Sequence, residues 1–133
     1  MGMRIFTPSS ARRSLESIRP AAADMCRLYR VMEHQRPSEQ SSDRPVDPGY
    51  FAMVQELNTA LDKLKAVGVQ VKDPRVGLID FPARREGRLV FLCWKVGESR
   101  LDFWHELEDG FGGRRPVDEE GPWEGVAPEL EKS

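Results

Sequence analysis

Gly77 to Arg115 reads GLIDFPARREGRLVFLCWKVGESRLDFWHELEDGFGGRR, and the fold turns on how this stretch is divided. Three runs rich in β-branched and aromatic residues, Gly77 to Ala83, Arg88 to Val96 and Leu101 to Leu107, are separated by short connections that contain glycine. That pattern predicts an antiparallel β-meander. Side chains alternate across a strand, so register can be argued from parity. A two-residue Glu86-Gly87 turn sets Asp80 beside Cys93. A two- or four-residue turn around Gly97-Glu98 sorts the next hairpin in one way. It puts Val90, Leu92, Trp94, Val96, Leu101, Phe103, His105 and Leu107 on an apolar face, and Leu89, Phe91, Cys93, Lys95, Asp102, Trp104 and Glu106 on a mixed one. A three-residue turn or a bulge would break this assignment.

Upstream of the sheet the period changes from two to 3.6. Thr7 offers an N-cap oxygen and Pro8 suits a first helical turn. Ala11, Leu15, Ile18, Ala22, Met25, Leu28 or Tyr29, and Met32 then follow in steps of three and four, which predicts a helix from Pro8 to about His34. Pro20 lies inside it and predicts a kink or break. A second helix begins at Asp47-Pro48, carries the stripe Tyr50, Val54, Leu57, Leu61, Leu64, and ends at Gly68. The Pro- and Ser-rich segment 36–48 reads as a mobile loop between the two. The fold class is therefore α+β: an antiparallel helical hairpin packed on a three-stranded antiparallel β-meander. Residues 1–117 read as one domain, and the acidic segment 118–133 as a disordered tail in which Trp123 alone could dock.

Bulk properties narrow the function. The chain has 133 residues and a net charge of −2, and no apolar run approaches the length that spans a bilayer. Arg84, Arg85, Arg88, Lys95, Arg100, Arg114 and Arg115 form a basic cluster, but seven acids between Asp80 and Asp109 offset it, which argues against nucleic acid. The N-terminus MGMRIFTPSSARR lacks the apolar core of a secretory leader, and Cys26 and Cys93 read as reduced thiols, so a cytoplasmic setting is expected.

No catalytic or cofactor motif is complete. His105-Glu106 suggests a zinc protease, but position 109 is Asp where a second His is needed, and a strand sends the two side chains to opposite faces. Parity also separates Cys93 from His105, and an apolar surrounding makes a thiol unreactive. Gly110-Phe111-Gly112-Gly113 lacks the Lys-Ser/Thr of a phosphate loop, although its backbone beside Arg114 and Arg115 suits an anion. The reading is a non-catalytic binding or interaction protein. Its anion or small-ligand surface would be Asp80, Lys95, Trp104, Glu106, Arg114 and Arg115, with no catalytic or metal residue assigned and no cofactor identified. The alternative is a small enzyme or metal-binding protein using Asp80, His105 and Glu106, with Cys93 as a further member. A third reading makes the helices an adaptor surface. A homodimer through the helix stripes would cover what the small sheet leaves open, and a small ligand or protein partner stays unidentified.

The strings GLIDFPARREGRLVFLCWKVGE and LDFWHELEDGFGGRRP, preceded by AVGVQVKDP and by an opening RIFTP, resemble the bacterial family named domain of unknown function 2203. The resemblance covers about residues 3 to 117 and implies a small cytoplasmic protein with a helical hairpin and a sheet. It picks out Asp80, Phe81, Pro82, Cys93, Trp94, Lys95, Gly97, Glu98, Trp104, His105, Glu106, Gly110, Gly112 and Arg114, and attaches no catalytic role to any of them.

Overall fold

The computed structural model describes residues 3–34, 47–119 and 121–124. Two helices, α1 (Pro8–His34) and α2 (Pro48–Val67), pack as a hairpin on one face of an antiparallel sheet. The sheet contains the expected meander and extends it. Its strands are β1 (Gln70–Asp73), β2 (Leu78–Arg85), β3 (Arg88–Lys95), β4 (Phe103–Glu106), β5 (Arg115–Pro116) and β6 (Trp123–Glu124). The order is β1-β2-β3-β4-β5, with β6 on the far end of β2. Most of segment 36–48 and most of the acidic tail lie outside the described residues.

Local signals explain where the helices begin and end. At the start of α1, the Thr7 Oγ1 accepts from the Ser10 amide at 3.0 Å, and the Ser10 Oγ accepts from the Thr7 amide at 2.9 Å. This reciprocal pair satisfies two donors that the first turn leaves open. Thr7→Ala is expected to cost about 1 kcal/mol, read as a lower urea midpoint with an unchanged slope. Asp47 caps α2 through the Gly49 amide, and Gly68 ends it at φ +102°. The expected break at Pro20 is absent: α1 is one helix, and Pro20 is exposed, where water can replace the missing donor. Among the described residues, no helix is long and apolar enough to cross a membrane.

The core lies between the helices and one sheet face. Ala11, Leu15, Ile18, Ala22, Met25 and Leu28 of α1 and Leu57, Ala60 and Leu64 of α2 meet Ile79, Phe81, Ala83, Val90, Leu92, Trp94 and Trp104. Phe6 completes it from the N-terminal strap, which pairs parallel with Ala83; the Phe6 amide donates to the Pro82 carbonyl at 2.7 Å. A strand residue sends its C=O and its N side toward the same neighbour. The proline's missing N–H therefore points away from β3, and the β2–β3 ladder loses nothing.

The first hairpin is as expected. Arg85 pairs with Arg88 across Glu86 (φ +53°) and Gly87 (φ +79°), and Asp80 pairs with Cys93. Two successive positive φ values make the turn whose twist matches the strands. The second hairpin overturns the expected parity. Cys93 pairs with Phe103, Leu92 with Trp104, Phe91 with His105 and Val90 with Glu106, so the connection has odd length. Phe103 and His105 therefore join Asp80 and Cys93 on the face away from the helices, while Trp104 and Glu106 cross to the other. The cause is an ordered loop rather than a tight turn. Leu101 is buried in the core, the Arg12 Nε and the Arg19 guanidinium donate to the carbonyls of Leu101 and Ser99, and the Trp94 indole donates to the Glu98 carbonyl.

Candidate functional site

The outer sheet face carries a buried polar cluster. Asp80 in mid-β2, Cys93 on β3 and His105 on β4 occupy three adjacent strands and are 1%, 0% and 3% exposed. One carboxylate oxygen, the thiol sulfur and one imidazole nitrogen lie within 4.8 Å of one another. His105 Nε2 is 3.0 Å from Asp80 Oδ2, and its Nδ1 is 2.7 Å from the carbonyl of Glu106. A carbonyl only accepts, so Nδ1 carries hydrogen and Nε2 is the atom presented to the cluster. Asp80 Oδ1 is buried without a hydrogen-bond partner.

Burial governs the electrostatics. It raises the Asp80 carboxyl above its ordinary value, against the opposing pull of His105. It also pushes the Cys93 thiol up to about 12, reinforced by the Asp80 charge and opposed by Arg114. The thiol is therefore protonated at neutral pH and is a poor nucleophile. Phe91 leans on the His105 ring at 5.6 Å, and the Lys72 ammonium sits 4.6 Å over Phe91.

The Gly-Arg loop borders this cluster. After Gly110, at φ +64°, a single 3-10 turn (Phe111–Gly113) leads to Arg114, whose guanidinium lies between the rings of Phe103 (4.2 Å) and Phe111 (4.6 Å). Arg114 donates to the Cys93 carbonyl at 3.1 Å and to both oxygens of Glu98 at 2.7 Å. Glu98 also accepts from the Lys95 amide at 2.9 Å. The Lys95 ammonium is 5.4 Å over Phe111.

The six residues expected to form one ligand surface are thus divided. Asp80, Lys95 and Arg114 share the outer face. Trp104, Glu106 and Arg115 belong to a separate stack on the other, where Trp104 meets Trp123 edge-on at 5.8 Å and Arg85 lies 4.8 Å over Trp104. Glu106 there pairs with Arg88 and, at 3.9 Å, with Arg115. These are structural ion pairs, and Glu106 cannot join Asp80 and His105. Trp123 docks as β6, and Asp118 pairs with Arg85 at 3.0 Å. Parity put Phe103 and His105 on the core face, so His105 entered only the alternative set with Asp80 and Glu106; Phe103 was given no place in a site, and Glu98 was picked out by the family resemblance alone. An acid directly after the Gly97 turn and before Arg114 was the available signal for Glu98.

No curated protein and no solved structure matches the chain. A family match does extend over residues 4–117, from the Phe6 strap through both helices and the outer-face cluster to the end of the Gly-Arg loop. With its helical hairpin, its sheet and that cluster all inside the matched span, the chain belongs to the family described as Uncharacterized conserved protein (DUF2203).

Proposed function

We propose that this chain is a non-catalytic small-ligand-binding protein whose site is the outer-face cluster of Asp80, Cys93 and His105, bordered by Lys95 and Arg114. The observation that carries this reading is the Asp80 carboxylate: buried, with Oδ1 unpartnered, in a cluster where a carboxylate oxygen, the Cys93 sulfur and a His105 ring nitrogen lie within 4.8 Å of one another. Such an oxygen costs about 1–3 kcal/mol when left unmade, and a ligand that meets it recovers that cost. Arg114 is committed to Glu98, and Arg115 is shared between Glu106 and Asp109, so the positive charge expected to hold an anion is already neutralised. The alternative enzyme built on Asp80, His105 and Glu106 loses its third member to Arg88.

Zinc, magnesium, inorganic phosphate and succinate are the probes for a thermal-unfolding test on the full chain. At least one is expected to raise Tm of the wild type and leave Asp80→Asn and His105→Asn unmoved. At a hundredfold excess over Kd the stabilisation is about 2.7 kcal/mol. Stabilisers that act equally on all three proteins would overturn the site. On the same footing we assign the protein to the cytoplasm, treat residues up to 117, with 118–119 and the β6 segment joined to their sheet, as one domain, and take a second copy as the cover for α2. Phe51 is exposed there and Tyr50, Met53 and Val54 are half-buried.

A further inference from the structure

The geometry points to one occupant for this cluster: a single divalent transition metal ion of the zinc class, held by an Asp80 carboxylate oxygen, Cys93 Sγ and His105 Nε2. This rests on the ligand-binding reading above and names its ligand.

The donor set selects the ion. A thiolate, an imidazole and a carboxylate together suit zinc and its neighbours, whereas magnesium and calcium require six or more oxygens. Three protein donors leave a fourth position for water or an exogenous group. A tetrahedral ion with ordinary zinc bond lengths separates its donors by about 3.3–3.7 Å. The 3.0 Å Asp80–His105 contact need open only slightly, and the remaining separations, none above 4.8 Å, need close by about 1 Å.

The surroundings fit a ligand role as well. His105 Nδ1 is fixed by the Glu106 carbonyl, the outer contact that turns a ligating imidazole and sets its tautomer. The Asp80–His105 contact holds one proton whichever group carries it, because Nδ1 is already protonated. Metal entry releases that proton and the Cys93 thiol proton, with no change in oxidation state. The ion's two positive charges then meet one carboxylate and one thiolate, so the filled site is neutral. Neutrality matters for groups this deeply buried, where an uncompensated charge is costly. The three ligands also sit on adjacent strands of a hydrogen-bonded sheet, a rigid frame for a small coordination sphere.

The test uses the full chain, stripped with a chelator and titrated with cobalt(II) while the near-ultraviolet thiolate-to-cobalt charge-transfer absorption is followed. One equivalent is expected, displaced by zinc and unaffected by magnesium. Cys93→Ser should abolish the band and Cys26→Ser retain it. Asp80→Asn and His105→Ala should weaken binding at least tenfold, with circular dichroism confirming that each variant is folded. A folded wild type that takes up no cobalt, or a band that survives Cys93→Ser, overturns the metal assignment. Protection by phosphate or succinate that depends on Asp80, without cobalt uptake, overturns the metal and leaves the ligand-binding reading standing.

Discussion

Phe81→Ala is expected to lower the unfolding free energy by about 3–5 kcal/mol, seen as a drop in urea midpoint with an unchanged slope. The ring is fully buried and meets Phe6 edge-on at 5.2 Å. It projects from β2, the strand that pairs with β1, β3 and β6 and also receives the Phe6 strap. Truncation therefore removes the packing of the ring and leaves a void that a strand hydrogen-bonded on both edges cannot collapse to fill. The Phe6 strap loses its partner ring in the same step. With native stabilities of roughly 5–15 kcal/mol, this one change should bring the chain close to marginal. Phe81→Leu keeps most of the volume and should cost less than half as much. A loss below about 1 kcal/mol for the alanine variant would mean that the hairpin does not cover this face as tightly as the structure has it.

Phe81 and Asp80 are chain neighbours that point opposite ways, and they mark where sequence reasoning succeeded and failed. The start of α1 and both limits of α2 were legible because their causes are local: Thr7 caps one helix, Asp47 and Gly68 bound the other, and each stripe follows the helical period. The Glu86-Gly87 turn was legible for the same reason, and it alone sufficed to set Asp80 beside Cys93. The parity of β4 was not legible, because it is decided at a distance. Arg12 and Arg19 of α1 hold the 97–102 connection, and Glu98 is pinned by Arg114 from beyond β4. An odd connection moves every side chain of β4 to the other face. It took His105 out of the expected core and into the cluster, and removed Glu106 from the expected site. Strands β5 and β6 are two residues each, too short for any alternation to announce them. Trp123 was visible only as an apolar residue in an acidic segment.

Arg114→Ala should cost about 2–3 kcal/mol and open the cluster to solvent. A fully buried ion pair broken on one side costs more, but the side chains here are 11% and 23% exposed, and water screens part of the loss. Three contacts go at once: the two bonds to Glu98, the bond to the Cys93 carbonyl, and the stack between Phe103 and Phe111. Glu98 feels the change most directly. Burial acts to raise its pKa, yet Arg114 and the Lys95 amide outweigh burial and hold it below the ordinary carboxylate value of 4.5. A lowered folded-state pKa gives stability that is fully present above the unfolded value and is lost as pH falls through the folded one. Wild type should therefore lose this contribution on acidification below about 4.5, and Arg114→Ala should lack that part of the slope. The cluster reports the opening through Cys93. Burial is the main reason its thiol is pushed up to about 12, so relieving burial outweighs the loss of the nearby guanidinium charge. In a Cys26→Ser background, iodoacetamide should modify Cys93 of metal-free Arg114→Ala at least ten times faster than the parent, under conditions where both remain folded. Glu98→Gln, which leaves Arg114 stacked on its rings, should raise the rate far less. Equal rates in the parent and in Arg114→Ala, alongside the full stability loss, would show that the sheet alone shields the thiol and that the Gly-Arg loop does not guard the site.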